Sequence, residues 1–333
     1  MILMLVACAV GQYDMIDLGL LDSGERFSWA VDVADGGLTT GYAGVAGGLR
    51  PFLWDGEMHD LGTLGGGLSV GMAVNDLGMV AGYAHVDGRS HAFLWDGVMH
   101  DLGTLGGTES FSFDLNDQGH VTGFAKVEGG NNHAFLWDGT MHDLGAAGRR
   151  YSNGLAINES GDVAGYTGDV SFEHHPAVWR QGVAESLPHL DGFPYGEAVD
   201  INESGTIVGK AYGSTTRAVM WEDGEARDLG TLGGTFANAI GINDDGVVVG
   251  TTTDAFNSVV AFLWEDGTMH PLSEMVQTTI EFDGFEPKGI SDDGHVAGIA
   301  IIEGSYHAVL LRPTVPAAPT ALLLAGLAFM RRR

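Results

Sequence analysis

The feature that most constrains this chain is an internal repeat. PFLW (51–54), HAFLW (91–95), HAFLW (133–137), HPAVW (175–179), RAVMW (217–221) and VAFLW (260–264) place Trp at 54, 95, 137, 179, 221 and 264, in steps of 41, 42, 42, 42 and 43 residues. A seventh copy, HAVLL (307–311), has Leu311 at the Trp position. A turn motif keeps the same beat: ADGG (34–37), NDLG (75–78), NDQG (116–119), NESG (158–161), NESG (202–205), NDDG (243–246) and SDDG (291–294). A third motif, MHDLG at 58–62, 99–103 and 141–145, recurs as MIDLG (15–19), AESLP (184–188), ARDLG (226–230) and MHPLS (269–273). Repeats of this length signify a stack or ring of supersecondary units.

Each unit reads as four short strands. Alternating apolar residues such as SVGMAVN (69–75) lead through the NDxG turn to MVAGYA (79–84), and a looser loop leads to HAFLW. Asp-Gly, a strong hairpin signal, then leads to a fourth strand. Four antiparallel strands at this period predict an all-β, seven-bladed β-propeller over residues 13–312. The chain opens on a fourth strand (about 14–18) and its folded part ends on a third strand (about 307–311). These two are expected to pair in one blade, closing the ring and leaving no free edge there.

On each first strand, Asp32, Ala73, Asp114, Ala156, Asp200, Gly241 and Gly289 stand two residues before the turn Asn or its equivalent. With Ala30, Gly71, Ser112, Gly154, Ala198, Ala239 and Pro287 they are expected to form one small-residue face. The opposite face carries Val33, Val74, Leu115, Ile157, Ile201, Ile242 and Ile290.

The clearest copies read HAFLW-DG-x-MHDLGTLGG and IND-x-G-x-V-x-G, and this pattern resembles the bacterial HAF extracellular repeat family over nearly all of residues 14–311. The resemblance implies an exported repeat protein and no particular reaction. Departures concentrate at 180–195 and 271–285, where binding loops are to be sought.

The termini extend the same expectation. Residues 1–12, with the apolar run MILMLVACAVG, carry Ala7-Cys8-Ala9 in the form of a signal-peptidase site, and Leu5–Cys8 resembles a lipoprotein lipobox. Residues 313–333 join a Val-Pro segment to an apolar run and Arg331-Arg332-Arg333. This resembles a PEP-CTERM sorting tail and implies a secreted or cell-surface protein that meets the membrane only through its ends. Cys8 is the only cysteine, so an internal disulfide is excluded.

Lys and Arg number 15 against 44 Asp and Glu, a formal charge of −29. Such a chain repels nucleic acid and anionic surfaces and favours cations, basic partners or neutral glycans.

Candidate chemistry is sparse. His59, His100, His142 and His270 share one repeat position, as do His91, His133 and His307; equivalent positions spread around a ring, so inter-strand hydrogen bonds are expected rather than a metal or catalytic centre. The NDxG loops offer calcium-type oxygens, but they lack EF-hand spacing, and an Asn bonding its own backbone before a Gly explains them. Asp32, Asp114 and Asp200 are carboxylates expected near the axis of blades one, three and five. Two readings are open: hydrogen bonds to nearby backbone N–H groups, or a cation-accepting channel. Glu173-His174-His175 and the segment 282–286 are candidate binding-rim loops. No catalytic residue and no cofactor is assigned. The reading is a non-enzymatic recognition or scaffold propeller for a glycan or protein; the alternatives are a polysaccharide lyase or hydrolase and a surface-layer component.

Overall fold

A computed structural model describes residues 13–21, 27–169 and 173–314; the expected leader and nearly all of the expected sorting tail lie outside them. The described chain is a seven-bladed β-propeller: six antiparallel sheets of four strands and a seventh of five, one pair of which is parallel. Strands follow one another in sequence order across a blade, as in blade one: Ser28–Val33, Thr39–Val45, Gly48–Trp54 and Met58–Asp60. First strands of successive blades contact one another around the whole ring, the last (Phe282–Ile290) meeting the first.

The ring closes as expected. Tyr13–Asp17 pairs antiparallel with Ser305–Pro313, with Met15 opposite Leu311 and Asp17 opposite Val309. The 271–285 departure contributes a fifth strand: Val276–Gln277 adds to Tyr13–Asp17 in parallel, and Tyr13 N–H donates to the Met275 carbonyl at 2.9 Å. Tyr13 and Met15 are buried with Leu272 and Met275 between blades six and seven.

One expectation is corrected. The small residues on each first strand do not share a single face, because a β-bulge separates them: pairing shifts between Ala30 and Asp32, and again at the same point in each of the other six blades. A bulge inserts an extra residue and reverses the side-chain alternation beyond it. Thus Ala30 and Asp32 face opposite ways, and Ala30 packs with Val33 between blades, as Ala198 does with Ile201 and Ala239 with Ile242; the aliphatic ring from Val33 to Ile290 also reaches the wall of an axial cavity.

The bulge also explains the Gly of the repeated V-x-G. A Cβ on Gly41, Gly82, Gly123, Gly165, Gly209, Gly250 or Gly298 would overlap the first-strand carbonyl oxygen facing it, from Trp29 to Glu286. At Gly82 and Gly250 it would also crowd the fully buried Phe93 and Phe262 of the third strand, at 2.9 and 2.8 Å.

Two outcomes follow. Gly165→Ala places a methyl against the Asn153 carbonyl and should cost roughly 3 kcal/mol or more, read as a lowered urea midpoint. Deleting residues 13–17 removes the buried side chains of Tyr13 and Met15 and bares a sheet edge, and should cost several kcal/mol at about 1.5–3 kcal/mol per large side chain. An unchanged midpoint in either case would contradict the packing described.

Candidate functional site: the axis and the junction of blades four and five

At the axis, the NDxG turns form two hydrogen-bonded belts. In the inner belt each Asn bonds its own backbone, as expected: Asn75 Oδ1 accepts from Met79 N–H at 2.8 Å and Asn116 Oδ1 from His120 N–H at 3.0 Å. The side-chain amide also reaches the next blade. Asn75, Asn116, Asn158, Asn202 and Asn243 donate through Nδ2 to the carbonyls of Asn116, Asn158, Asn202, Asn243 and Ser291, at 3.0–3.3 Å. All five are at most 6% exposed.

In the outer belt the acidic residue after each Asn accepts a backbone N–H from the preceding blade. Asp76 accepts from Asp35 N–H, and the chain of acceptors runs through Asp117, Glu159, Glu203, Asp244 and Asp292. Asp293 N–H donates to Asp35 at 2.9 Å and completes the circle. This places seven carboxylates around one mouth. Burial, and then the neighbouring carboxylates, push Asp292 up to about 6.

The three singled-out carboxylates are inter-blade staples. Asp114 accepts from Leu115 N–H (2.8 Å) and, in the next blade, from Ile157 N–H (2.7 Å). Asp200 accepts from Ile201 and Ile242 N–H, both at 2.8 Å. Asp32 accepts from Val33 N–H and from Val74 N–H at 2.9 Å. Of the two readings open in the sequence, backbone hydrogen bonding is the arrangement found. Each carboxylate serves two blades, so three of them satisfy six and blade seven is left over. Gly241 stands where a side chain would reach Ile290, its Cβ position being 3.4 Å from Ile290 N.

Desolvation pushes Asp32 up to about 6 and Asp200 to about 7, and Asp114 is held well above the usual carboxylate range by burial and by the charges of Asp32 and Asp200.

Of the recurring histidines, His91, His133 and His307 make the inter-strand hydrogen bonds expected, to Asp101, Asp143 and Asp17 across the third and fourth strands at 2.9–3.0 Å. His59, His100 and His142 instead bond within their own turns, to Asp55, Asp96 and Asp138 at 2.8–2.9 Å. The segment 282–286 is only partly a rim, since Phe282 and Phe285 pack on the core between blades six and seven.

The other candidate loop, 173–175, meets the 180–195 departure at the junction of blades four and five. His174 begins the third strand of blade four (His174–Arg180); its ring stacks on Tyr166 at 4.1 Å and meets Tyr151 and Tyr212 edge-on at 6.0 and 6.2 Å. His174 Nδ1 lies 2.7 Å from Glu197 Oε1 of blade five, and the other Glu197 oxygen is 3.0 Å from Lys210 Nζ. Burial pushes the Glu197 carboxyl up, but the His174 hydrogen bond and the Lys210 ammonium outweigh it and hold the group below its usual value. His174 N–H donates to the Tyr212 hydroxyl at 3.2 Å. Beside it, His175 Nδ1 is 3.4 Å from His189 Nε2, and its ring meets Tyr195 edge-on at 5.9 Å. Burial, Arg149 and His189 hold His175 below the usual imidazole value. Asn153 bonds the Tyr166 hydroxyl through one end of its amide, and the other end is buried without a partner.

Sequence reasoning found His174, His175 and the 180–195 segment but missed Tyr151, Tyr166, Tyr212, Glu197 and Lys210. A signal exists for the last two. Glu197 and Lys210 occupy the paired positions held by Trp29 and Tyr42 in blade one and by Phe111 and Phe124 in blade three.

No family model matches the chain, and no curated protein matches it. Solved structures do, as folds. Puromycin hydrolase is similar with a TM-score of 0.61 at 13% identity, over 90% of this chain and 55% of that one. YCF48 bound to D1 peptide gives 0.54 at 12% identity over 95% and 98%. The β-propeller domain of the Trilobed protease from Pyrococcus furiosus, described as having an open velcro topology, gives 0.54 at 11% over 86% and 93%. The chain spans 64% of TolB from Acinetobacter baumannii, which it also matches.

The raised Asp200 value carries a pH prediction. Its folded value of about 7 lies above the unfolded one, so the unfolded state loses its proton first as pH rises, and stability falls between about pH 4 and 7. Asp200→Asn cannot ionise and loses one N–H acceptor. The denaturation-midpoint gap between wild type and Asp200→Asn should therefore narrow from pH 4.5 to 7.5; a widening gap would sink the assignment.

Proposed function

We propose that this chain is a non-enzymatic recognition or scaffold propeller of the cell envelope, taking a glycan or protein partner at the junction of blades four and five. The observation that carries the reading is the convergence there of the candidate loop 173–175 and the 180–195 departure from the repeat. The repeat supplies what each blade needs to fold. Tyr151, Tyr212, His174 and the Glu197–Lys210 pair go beyond that need and, with the repeat residue Tyr166, concentrate amphipathic rings with polar edges, the composition of recognition surfaces. Support for export and surface attachment comes from the HAF resemblance and the terminal segments.

A second reading, a polysaccharide-active enzyme, draws on one feature of the same cluster. His174 is oriented by Glu197 through Nδ1, which leaves Nε2 as a base beside the phenol rings.

The test is a glycan array and an affinity capture with the full chain, with calcium and with chelator, on wild type, His174→Ala and Tyr212→Phe. Capture of a defined glycan or protein that weakens at least tenfold in the variants supports recognition. Shortening of the glycan with new unsaturated or reducing ends transfers the reading to the enzyme. Loss of binding with chelator would bring a cation at the axial carboxylates back into the account.

A further inference from the structure

A second cleft departs from the repeat, between blades five and six on the face of the NDxG turns. It encloses about 480 Å³ and is lined by Ser204 and Asp245 of two such turns, by Glu222 and Asp266 of the third-to-fourth strand turns, and by Arg227 and Trp264. Small-molecule sites commonly measure ~300–1,000 Å³. Arg227 takes the position of His59, His100 and His142, which fold back onto the Asp of their own turns. Arg227 instead crosses to the next blade, its guanidinium carbon 5.2 Å from the centroid of the Trp264 ring. Among the described residues it makes no ion pair, although the chain carries 44 acidic residues. The ring attracts the guanidinium while its N–H donors remain available.

The walls select the ligand. Glu222, Asp245 and Asp266 repel an anion, as does the net charge of −29. Arg227 offsets part of that negative charge and supplies N–H donors that a cation cannot satisfy. The group that donates to carboxylates, accepts from a guanidinium and carries no charge is an array of hydroxyls. We propose that the cleft between blades five and six binds a neutral sugar residue, with Arg227 donating to its ring or hydroxyl oxygens and Glu222, Asp245 and Asp266 accepting from its hydroxyls. This rests on the recognition reading and adds a second site and a ligand class to it.

The experiment is calorimetric titration of the full chain with glucose, galactose, mannose and N-acetylglucosamine, and with glucuronate and glucosamine as charged counterparts. At least one neutral sugar should bind, more tightly than either charged one. Affinity should fall at least tenfold in Arg227→Ala and also in Asp266→Asn, and should be unchanged in His174→Ala. Arg227 is exposed, so its replacement leaves the fold intact. Equal binding in wild type and Arg227→Ala, preference for a charged sugar, or no binding by any neutral sugar would each overturn the proposal. Binding lost in His174→Ala but kept in Arg227→Ala would overturn it while leaving the site at blades four and five standing.

Discussion

The first-strand bulge is the constraint on which the rest of the molecule depends. In every blade it pushes one carbonyl onto the second strand, so a Cβ cannot be accommodated there and Gly is required. The same bulge reverses the side-chain alternation, so that Ala30 packs with Val33, Ala198 with Ile201 and Ala239 with Ile242 between blades. It also turns backbone N–H groups to a place where a neighbouring blade can accept them. Packing between blades and bonding around the axis are thus two consequences of one local irregularity.

Around the axis, polar groups add to the apolar packing that joins neighbouring blades. The Asn belt and the carboxylate belt each link a blade to its neighbour, and Asp32, Asp114 and Asp200 add a third set of links. The cost is electrostatic. Seven carboxylates share one mouth and three more stand close to it, so several are pushed upward in pKa by burial and by one another. Backbone N–H donors offset that cost, which is why the acidic residues recur at these turns. The odd number of blades leaves the last without a staple, and its closure depends on Tyr13–Asp17 and on the added strand from the 271–285 insertion.

Against this regular frame, the sites that do not serve folding stand out. At blades four and five, the Glu197–Lys210 pair, joined to His174, replaces the aromatic pairs of blades one and three. At blades five and six, an arginine replaces the self-bonded histidine and lies over the neighbouring blade's Trp. Both cross a blade boundary, where two units present different side chains to one cleft.

The sequence by itself determined the number of blades, the order of strands and the ring closure, because period, alternation and turn chemistry are local properties written seven times over. It also marked His174, His175 and the three aspartates as exceptional. It did not show the bulge, because the Gly that the bulge requires sits on the partner strand and nothing local ties it to the first strand, and the small-face expectation failed there. Nor did it show that each Asn and each turn acid bonds the next blade, or that His174 meets Glu197 at 2.7 Å. Those contacts join residues more than 20 positions apart across a blade boundary, and only the angle at which one sheet packs on the next brings them within reach.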